Sequence, residues 1–224
     1  MSLFPDPQGA LGFPQPLSEK YRPKTLAEFI GLEKQKKVLQ AFARRPVSCA
    51  WMFLGSSGVG KTTAALALAS ELNAELHHIP SQKCNVAEID AVIAMCQRAP
   101  YRFFGADAGK ADWHVVLVDE GDQMSPAAQL ALLSKLDSTA APPRTIFIFT
   151  ANDCERLEKR FLSRVRVLEF SSYGMRDALA QFLAHVWEAE TGQPGSLNWE
   201  RIAKESLTNV RDALQKLEIE LLAA

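Results

Sequence analysis

Cysteine is scarce in this 224-residue chain: there are four, Cys49, Cys84, Cys96 and Cys154, far apart and without a Cys-x-x-Cys pair. That pattern excludes a disulfide-stapled secreted scaffold and leads us to expect a reduced, cytoplasmic protein. Cys84 and Cys96 with His77 and His78 match no common zinc spacing, so the thiols read as buried and free. An excess of charge of either sign is also missing, since 25 Lys and Arg face 26 Asp and Glu for a net charge of −1. The molecule as a whole thus offers no basic field to nucleic acid, and any DNA contact needs a local patch. No apolar run approaches the ~20 residues of a membrane-spanning helix. The N-terminus lacks the basic and apolar blocks of a secretory signal, and no internal repeat or low-complexity tract is evident. What remains is an ordinary globular composition, 47% hydrophobic and 23% charged, with chain enough for one large core or a large and a small domain.

Against that plain background one stretch stands out. Gly55, Ser56, Ser57, Gly58, Val59, Gly60, Lys61 and Thr62 fit G-x-x-x-x-G-K-[ST] at every fixed position. The apolar run 50–54 leads in and a helix-favouring segment from Thr63 follows, which is the strand, turn and helix the motif requires. Glycines let the backbone wrap closely and aim its N–H groups at phosphate oxygens. The helix adds the positive end of its dipole, with Thr63 counted among the binding residues. Lys61 can reach the outer phosphates of a nucleoside triphosphate, and the Thr62 hydroxyl can ligate magnesium.

Patterning organises the rest. Residues 1–17 hold Pro5, Pro7, Pro14 and Pro16 without periodicity and read as an extended arm. A helix is expected over 32–44, a strand near 75–79, and a helix over 86–98 with Val86, Ile89, Ile93 and Cys96 on one face. A loop is expected over 99–112. Val115, Val116, Leu117 and Val118 do not alternate, as expected of a central parallel strand covered on both faces. Ser125-Pro126 is a helix start, and 145–150 and 165–170 read as further strands. Strands alternating with helices over 18–170 imply a parallel α/β sheet. From 171 to 224 only helical rhythms remain: Met175, Leu179, Phe182 and Val186, then Leu207, Val210, Leu214, Leu217 and Leu221. The expectation is a small helical domain packed on the α/β domain, with nucleotide between them.

Asp119 ends the apolar strand where a magnesium shell must be held. Glu120, one residue on, can take a proton from an attacking water. Asn152, after the next strong strand, lies beside that pair; it can orient the water, or simply form a turn. Arg164 and Arg211 can each stabilise charge on a transferred phosphoryl group, but position alone favours surface arginines.

Taken together, these motifs resemble the AAA+ ATPases, and within them the motor subunits of clamp loaders. The likeness spans about residues 18–222. Glu19-Lys20-Tyr21-Arg22-Pro23-Lys24-Thr25 looks like the opening signature that borders the adenine pocket, implying nucleotide contacts from Arg22 and Pro23. Asp119-Glu120-Gly121-Asp122 is similar to the family's Asp-Glu-Ala-Asp. Ala128-Gln129 resembles the helix whose glutamine couples DNA contact to the active site. Ser163-Arg164-Val165 stands where the family has Ser-Arg-Cys, which implies that Arg164 reaches a neighbouring subunit's site. Val210-Arg211-Asp212 looks like the second sensor, with Arg211 toward the terminal phosphates, and Asn152 becomes the first sensor. Departures are Val165 for cysteine, Asp212 for a second arginine, and Thr208-Asn209 for Gly-Asp. The helical collar that follows the lid in such loaders is not expected in this chain.

The implied fold is a P-loop AAA+ module with a five-stranded parallel sheet and a helical lid, using ATP and Mg2+. The implied partners are other AAA+ subunits, DNA and a sliding clamp, with DNA met near Ser81, Gln82 and Lys83 or at Arg98 and Arg102. Two other readings are carried forward. One is a branch-migration motor or helicase loader, since an Arg-Pro-Lys opening occurs there too; the other is a non-hydrolysing nucleotide-dependent scaffold.

Overall fold

The computed structural model describes residues 15–102, 108–137, 140–195 and 197–223. Two helices, α1 (Leu17–Lys20) and α2 (Glu33–Arg44), precede β1 (Cys49–Leu54), and α3 (Lys61–Glu71) follows the glycine-rich loop. Next come β2 (Ala74–Pro80), α4 (Val86–Cys96) and a two-residue antiparallel pair, β3 (Tyr101–Arg102) with β4 (Gly109–Lys110), inside the expected loop. Then β5 (Trp113–Asp119), α5 (Pro126–Leu136), β6 (Thr145–Ala151), the single-turn α6 (Lys159–Leu162) and β7 (Arg166–Glu169) complete the α/β part. Three helices finish the described chain: α7 (Arg176–Thr191), α8 (Trp199–Glu205) and α9 (Val210–Ala223).

The five longer strands form one parallel sheet in the order β2-β5-β6-β1-β7. Sequence dictates which of them are central. Every residue of β6 is buried, as are the inner residues of β5 and β1, because helices cover both faces and no position can be left polar for solvent. Edge strand β2 instead alternates buried and exposed residues along most of its length. On one face Val115, Leu117, Ile146 and Ile148 pack with Leu39, Phe42 and Leu68 of α2 and α3. On the other, Val116, Val118, Phe147 and Phe149 meet Ile89, Val92 and Leu132 of α4 and α5. Alternate residues of the same strands thus feed two separate cores.

Local chemistry sets the helix starts. Ser125 Oγ accepts the Ala128 N–H at 3.2 Å with Pro126 in the first turn, and Asn85 Oδ1 accepts the Glu88 N–H at 3.0 Å. A third core, distinct from the first two, unites Leu179, Leu183, Val186, Ile202, Ala213, Leu214 and Leu217. Leu17, the last residue assigned to the arm, is the first of α1 and is buried in that helical core; residues 1–14 lie outside the described residues. Three stripe positions differ from expectation. Val86 is exposed while Val92 is buried, and Leu183 enters the core ahead of the partly buried Phe182. Leu207 is 84% exposed, because it and Thr208 turn into the left-handed region between α8 and α9, so the last stripe begins only at Val210.

Candidate nucleotide site

The carboxyl ends of β1, β5 and β6 lie side by side, and the loops leaving them make the site. At the first of these the backbone of Gly55 passes so close to β7 that a Cβ there would lie 2.1 Å from the Phe170 carbonyl oxygen. Gly58 has φ +74°, and a Cβ on it would sit 2.0 Å from Asn209 Oδ1. Only glycine fits both positions. The Asn209 side chain uses that space, donating from Nδ2 to the Ser57 carbonyl at 3.1 Å while its Oδ1 accepts the Asp212 N–H at 3.2 Å. One residue thereby caps α9 and holds the loop.

Lys61 opens α3 and is buried, with its ammonium fully engaged. Nζ donates to the carbonyls of Gly55 (2.7 Å) and Ser56 (2.9 Å) and to Asn152 Oδ1 (3.0 Å). Burial lowers its pKa, against the raising pull of Asp122 and Asp119. Beside it, Thr62 Oγ1 donates to Asp119 Oδ1 at 2.7 Å, and Thr150 Oγ1 donates to the same oxygen at 2.5 Å. Thr150 Oγ1 also accepts the Glu120 backbone N–H at 3.0 Å. Glu120 is exposed and has φ +55°, a conformation costly for a residue with a Cβ. Parallel pairing of β5 with β6, which sets Val118 against Phe149, brings these two strand ends into register. Asp122 is buried nearby, with Oδ1 lacking a hydrogen-bond partner among the described residues.

One pocket lies between the loop and the helical part. It brings together Arg22, Pro23, Ser57, Gly58, Val59, Gly60, Lys61, Thr62, Thr63, Asp119, Glu120, Asn152 and Arg211. Gly55 and Ser56 join through the carbonyls that hold Lys61. Met175, Phe182, Val210 and Leu214 form an apolar wall of the same pocket. Their spacing had marked them only as helical core; nothing in a stripe tells which end faces a cavity. Thr150 was also missed, although a hydroxyl at the carboxyl end of the apolar run 146–149 was a visible signal. Arg164 stands apart from the pocket: Nε donates to Asp137 Oδ1 at 3.1 Å and Nη1 to the Arg160 carbonyl at 2.9 Å. Gln129 is buried, donating to the carbonyls of Met124 and Arg156 and accepting the Glu158 N–H at 2.8 Å, which ties α5 to the turn before α6. Of the residues considered for DNA, Gln82 and Lys83 lie in the turn after β2, at the edge of the sheet where the pocket is; the side chain of Ser81 is outside the description. Arg98 and Arg102 lie toward the opposite edge, where Arg102 Nη1 donates to Asn73 Oδ1 at 3.3 Å.

A parallel sheet of this order, with a G-x-x-x-x-G-K-T loop between its β1 strand and α3, defines a phosphate-loop nucleotide-binding protein. Within that class the chain belongs to the ATPase family associated with various cellular activities (AAA), whose sequence pattern matches residues 51–173. It is 34% identical over 172 residues to replication factor C small subunit 1 of Pyrobaculum arsenaticum, a match covering 77% of this chain and 51% of that protein. To the replication factor C large subunit of Methanopyrus kandleri it is 31% identical, over 91% of this chain and 43% of that one. The chain spans about half the length of the curated relatives it matches. Among solved structures, the Thermotoga maritima RuvB Holliday junction branch migration motor has a TM-score of 0.71 at 22% identity, covering 88% of this chain and 64% of that one. That likeness is one of fold. Members of the AAA family in general bind ATP with Mg2+, and among the described residues no helix is long and apolar enough to cross a membrane.

Proposed function

We propose that this chain is an ATP-hydrolysing AAA+ module of clamp-loader type, coupling ATP to the opening of a sliding clamp or its loading on DNA in replication or repair. The observation that carries the reading is the hydrogen-bonded array Lys61–Asn152 and Thr62–Asp119–Thr150, beside a Glu120 held in a strained backbone conformation. Relatedness to replication factor C subunits supports the loader reading within the ATPase class.

The donor set suits the implied ligands. Thr62 and Asp119 offer hard oxygens of the kind magnesium takes, and Asp122 keeps an unpaired buried oxygen within electrostatic reach of Lys61. Bound magnesium-ATP supplies the electrophilic phosphorus and neutralises charge on the phosphates. On this reading the loop N–H groups of 57–62 cradle phosphates, and Lys61 exchanges a carbonyl partner for a phosphate oxygen. Arg22 and Pro23 border the base, with Met175 and Phe182 offering it apolar surface. The Glu120 carboxylate accepts a proton from the attacking water, oriented by Asn152. Arg211 contacts the terminal phosphates of its own site. Arg164, paired with Asp137 outside its own pocket, serves the site of an adjoining AAA+ subunit.

Turnover measured alone, with primed DNA, and with DNA plus a sliding clamp tests this. The loader reading expects slow hydrolysis by the isolated chain, stimulated by DNA and clamp together. Glu120→Gln is expected to lower turnover by about 10²-fold or more while nucleotide still binds. Unchanged turnover in that variant would remove the base assignment, and stimulation by branched DNA without a clamp would favour the branch-migration reading that the Arg22-Pro23-Lys24 opening also allows.

A further inference from the structure

Away from the nucleotide pocket, near the amino-terminal ends of β2 and β5, three potential metal ligands meet beneath the last turn of α4, with a carboxylate beside them. His77, Cys96 and His114 are all buried, and each offers a ligand atom within 4.8 Å of the others. His77 Nε2 lies 3.1 Å from His114 Nδ1. The Glu75 carboxylate lies beside the two imidazoles, with Oε2 3.4 Å from His114 Nδ1 and Oε1 3.9 Å from His77 Nε2, and a turn of that carboxylate would bring a fourth donor to the three. Bonds of 2.0–2.3 Å at a tetrahedral zinc put neighbouring ligand atoms about 3.3–3.8 Å apart, between the 3.1 Å that separates the two ring nitrogens and the 4.8 Å within which all three ligand atoms lie.

The sheet explains the convergence. Glu75 and His77 share the parity of Ile79 on β2, and His114 shares that of Val116 and Val118 on β5, so all three project from the face that α4 covers. Cys96, the last residue of α4, meets them from above. His78 has the opposite parity and lies instead 4.0 Å from Asp119 Oδ2. Cys84 is buried elsewhere in that core, outside the cluster. The set is therefore not the one that spacing along the chain brings to mind.

Surrounding hydrogen bonds orient these donors. His114 Nε2 is 3.0 Å from the Arg98 carbonyl oxygen, which can only accept, so the ring proton belongs on Nε2 and the lone pair on Nδ1 points at His77 and Glu75. A carbonyl fixing the second nitrogen of an imidazole is the usual support for a metal-ligating histidine. The Tyr101 N–H donates to Glu75 Oε2 at 2.8 Å.

We propose that Glu75, His77, Cys96 and His114 form a structural site for a divalent transition-metal ion of the zinc class, clamping the end of α4 to the two strands β2 and β5. Two imidazoles, a thiolate and a carboxylate suit that borderline-soft ion and not magnesium. Binding releases the Cys96 proton to solvent as the metal–sulfur bond forms.

The test titrates the purified full chain with Co2+ and Zn2+. Wild type is expected to take up one equivalent of Co2+ with a thiolate-to-cobalt charge-transfer band, to exchange it for Zn2+, and to melt at a higher temperature with metal than without. Cys96→Ser should lose the charge-transfer band. Because that change lies in the core, Glu75→Gln is the companion: its metal-free melting temperature should match wild type while metal affinity falls about tenfold or more. Absence of the band in wild type at saturating Co2+, or equal affinity in wild type and Glu75→Gln, overturns the site. In that event the cluster is a buried histidine pair hydrogen-bonded through His77 Nε2.

Discussion

Asp119 Oδ1 accepts hydrogen bonds from two hydroxyls, Thr62 at 2.7 Å and Thr150 at 2.5 Å, and the second of these also accepts the Glu120 N–H. Thr150 thus stands between the residue proposed to hold magnesium and the residue proposed to act as base. Hydrogen bonds to a charged group contribute about 1.5–3 kcal/mol. Thr150→Val keeps the shape of the side chain and deletes the hydroxyl. It is expected to slow turnover by about tenfold, the rate equivalent of the lower end of that range. It should also raise the Mg2+ concentration needed for half-maximal rate. Thr150→Ser restores the hydroxyl and should recover most of the loss. Steady-state kinetics across a magnesium titration checks this, and equal rates in the Val and Ser variants would refute the positioning role.

At the scale of elements, the helical part touches the glycine-rich loop through the Asn209 side chain, which at once caps α9 and holds the Ser57 carbonyl. Asn209→Ala deletes both bonds. An N-cap loss costs about 1 kcal/mol, and the loop is left free to drift from the helices. The expected result is a several-fold rise in KM for ATP with kcat little changed, because the bond shapes the pocket and touches no reacting atom. A fall in kcat at unchanged KM would contradict this. The same residue marks where sequence reading stops. β5 and β6 were legible because a central parallel strand must be apolar at every position, a rule that operates within a few residues. The helix start at Ser125-Pro126 was local for the same reason. Asn209 meets Ser57 across 152 positions, and Met175 and Phe182 face a cavity only because α7 folds back over the loop; no periodicity carries that. His77 and His78 make the point most sharply: adjacent in sequence, they lie on opposite faces of β2, and only strand pairing shows that His77 belongs with His114.

At the scale of the whole molecule, a single chain brings Lys61, Thr62, Asp119, Glu120, Asn152 and Arg211 to one pocket, whereas Arg164 is held outside it by Asp137 and the Arg160 carbonyl. If that arginine completes a neighbour's site, the two halves of the machinery can be disabled on different chains. Glu120→Gln spoils the site and leaves the finger; Arg164→Ala spoils the finger and leaves the site. Each variant alone is expected to be nearly inactive, the second by about 10³-fold or more in an assembly that depends on the arginine. Mixed in equal amounts in a closed homo-oligomer, they should regain activity. A site on an Arg164→Ala chain that faces an intact Arg164 from a Glu120→Gln chain is wild type on both sides. Random head-to-tail assembly makes about one interface in four of that kind, so about a quarter of wild-type turnover should return. Recovery should grow with protein concentration as assembly does, and native mass under the same conditions reports whether assembly has occurred. Assembly without recovery would mean that the arginine and the site it serves belong to different kinds of chain, as in a loader built from unlike subunits. Full activity of Arg164→Ala by itself would mean that the arginine has no part in hydrolysis.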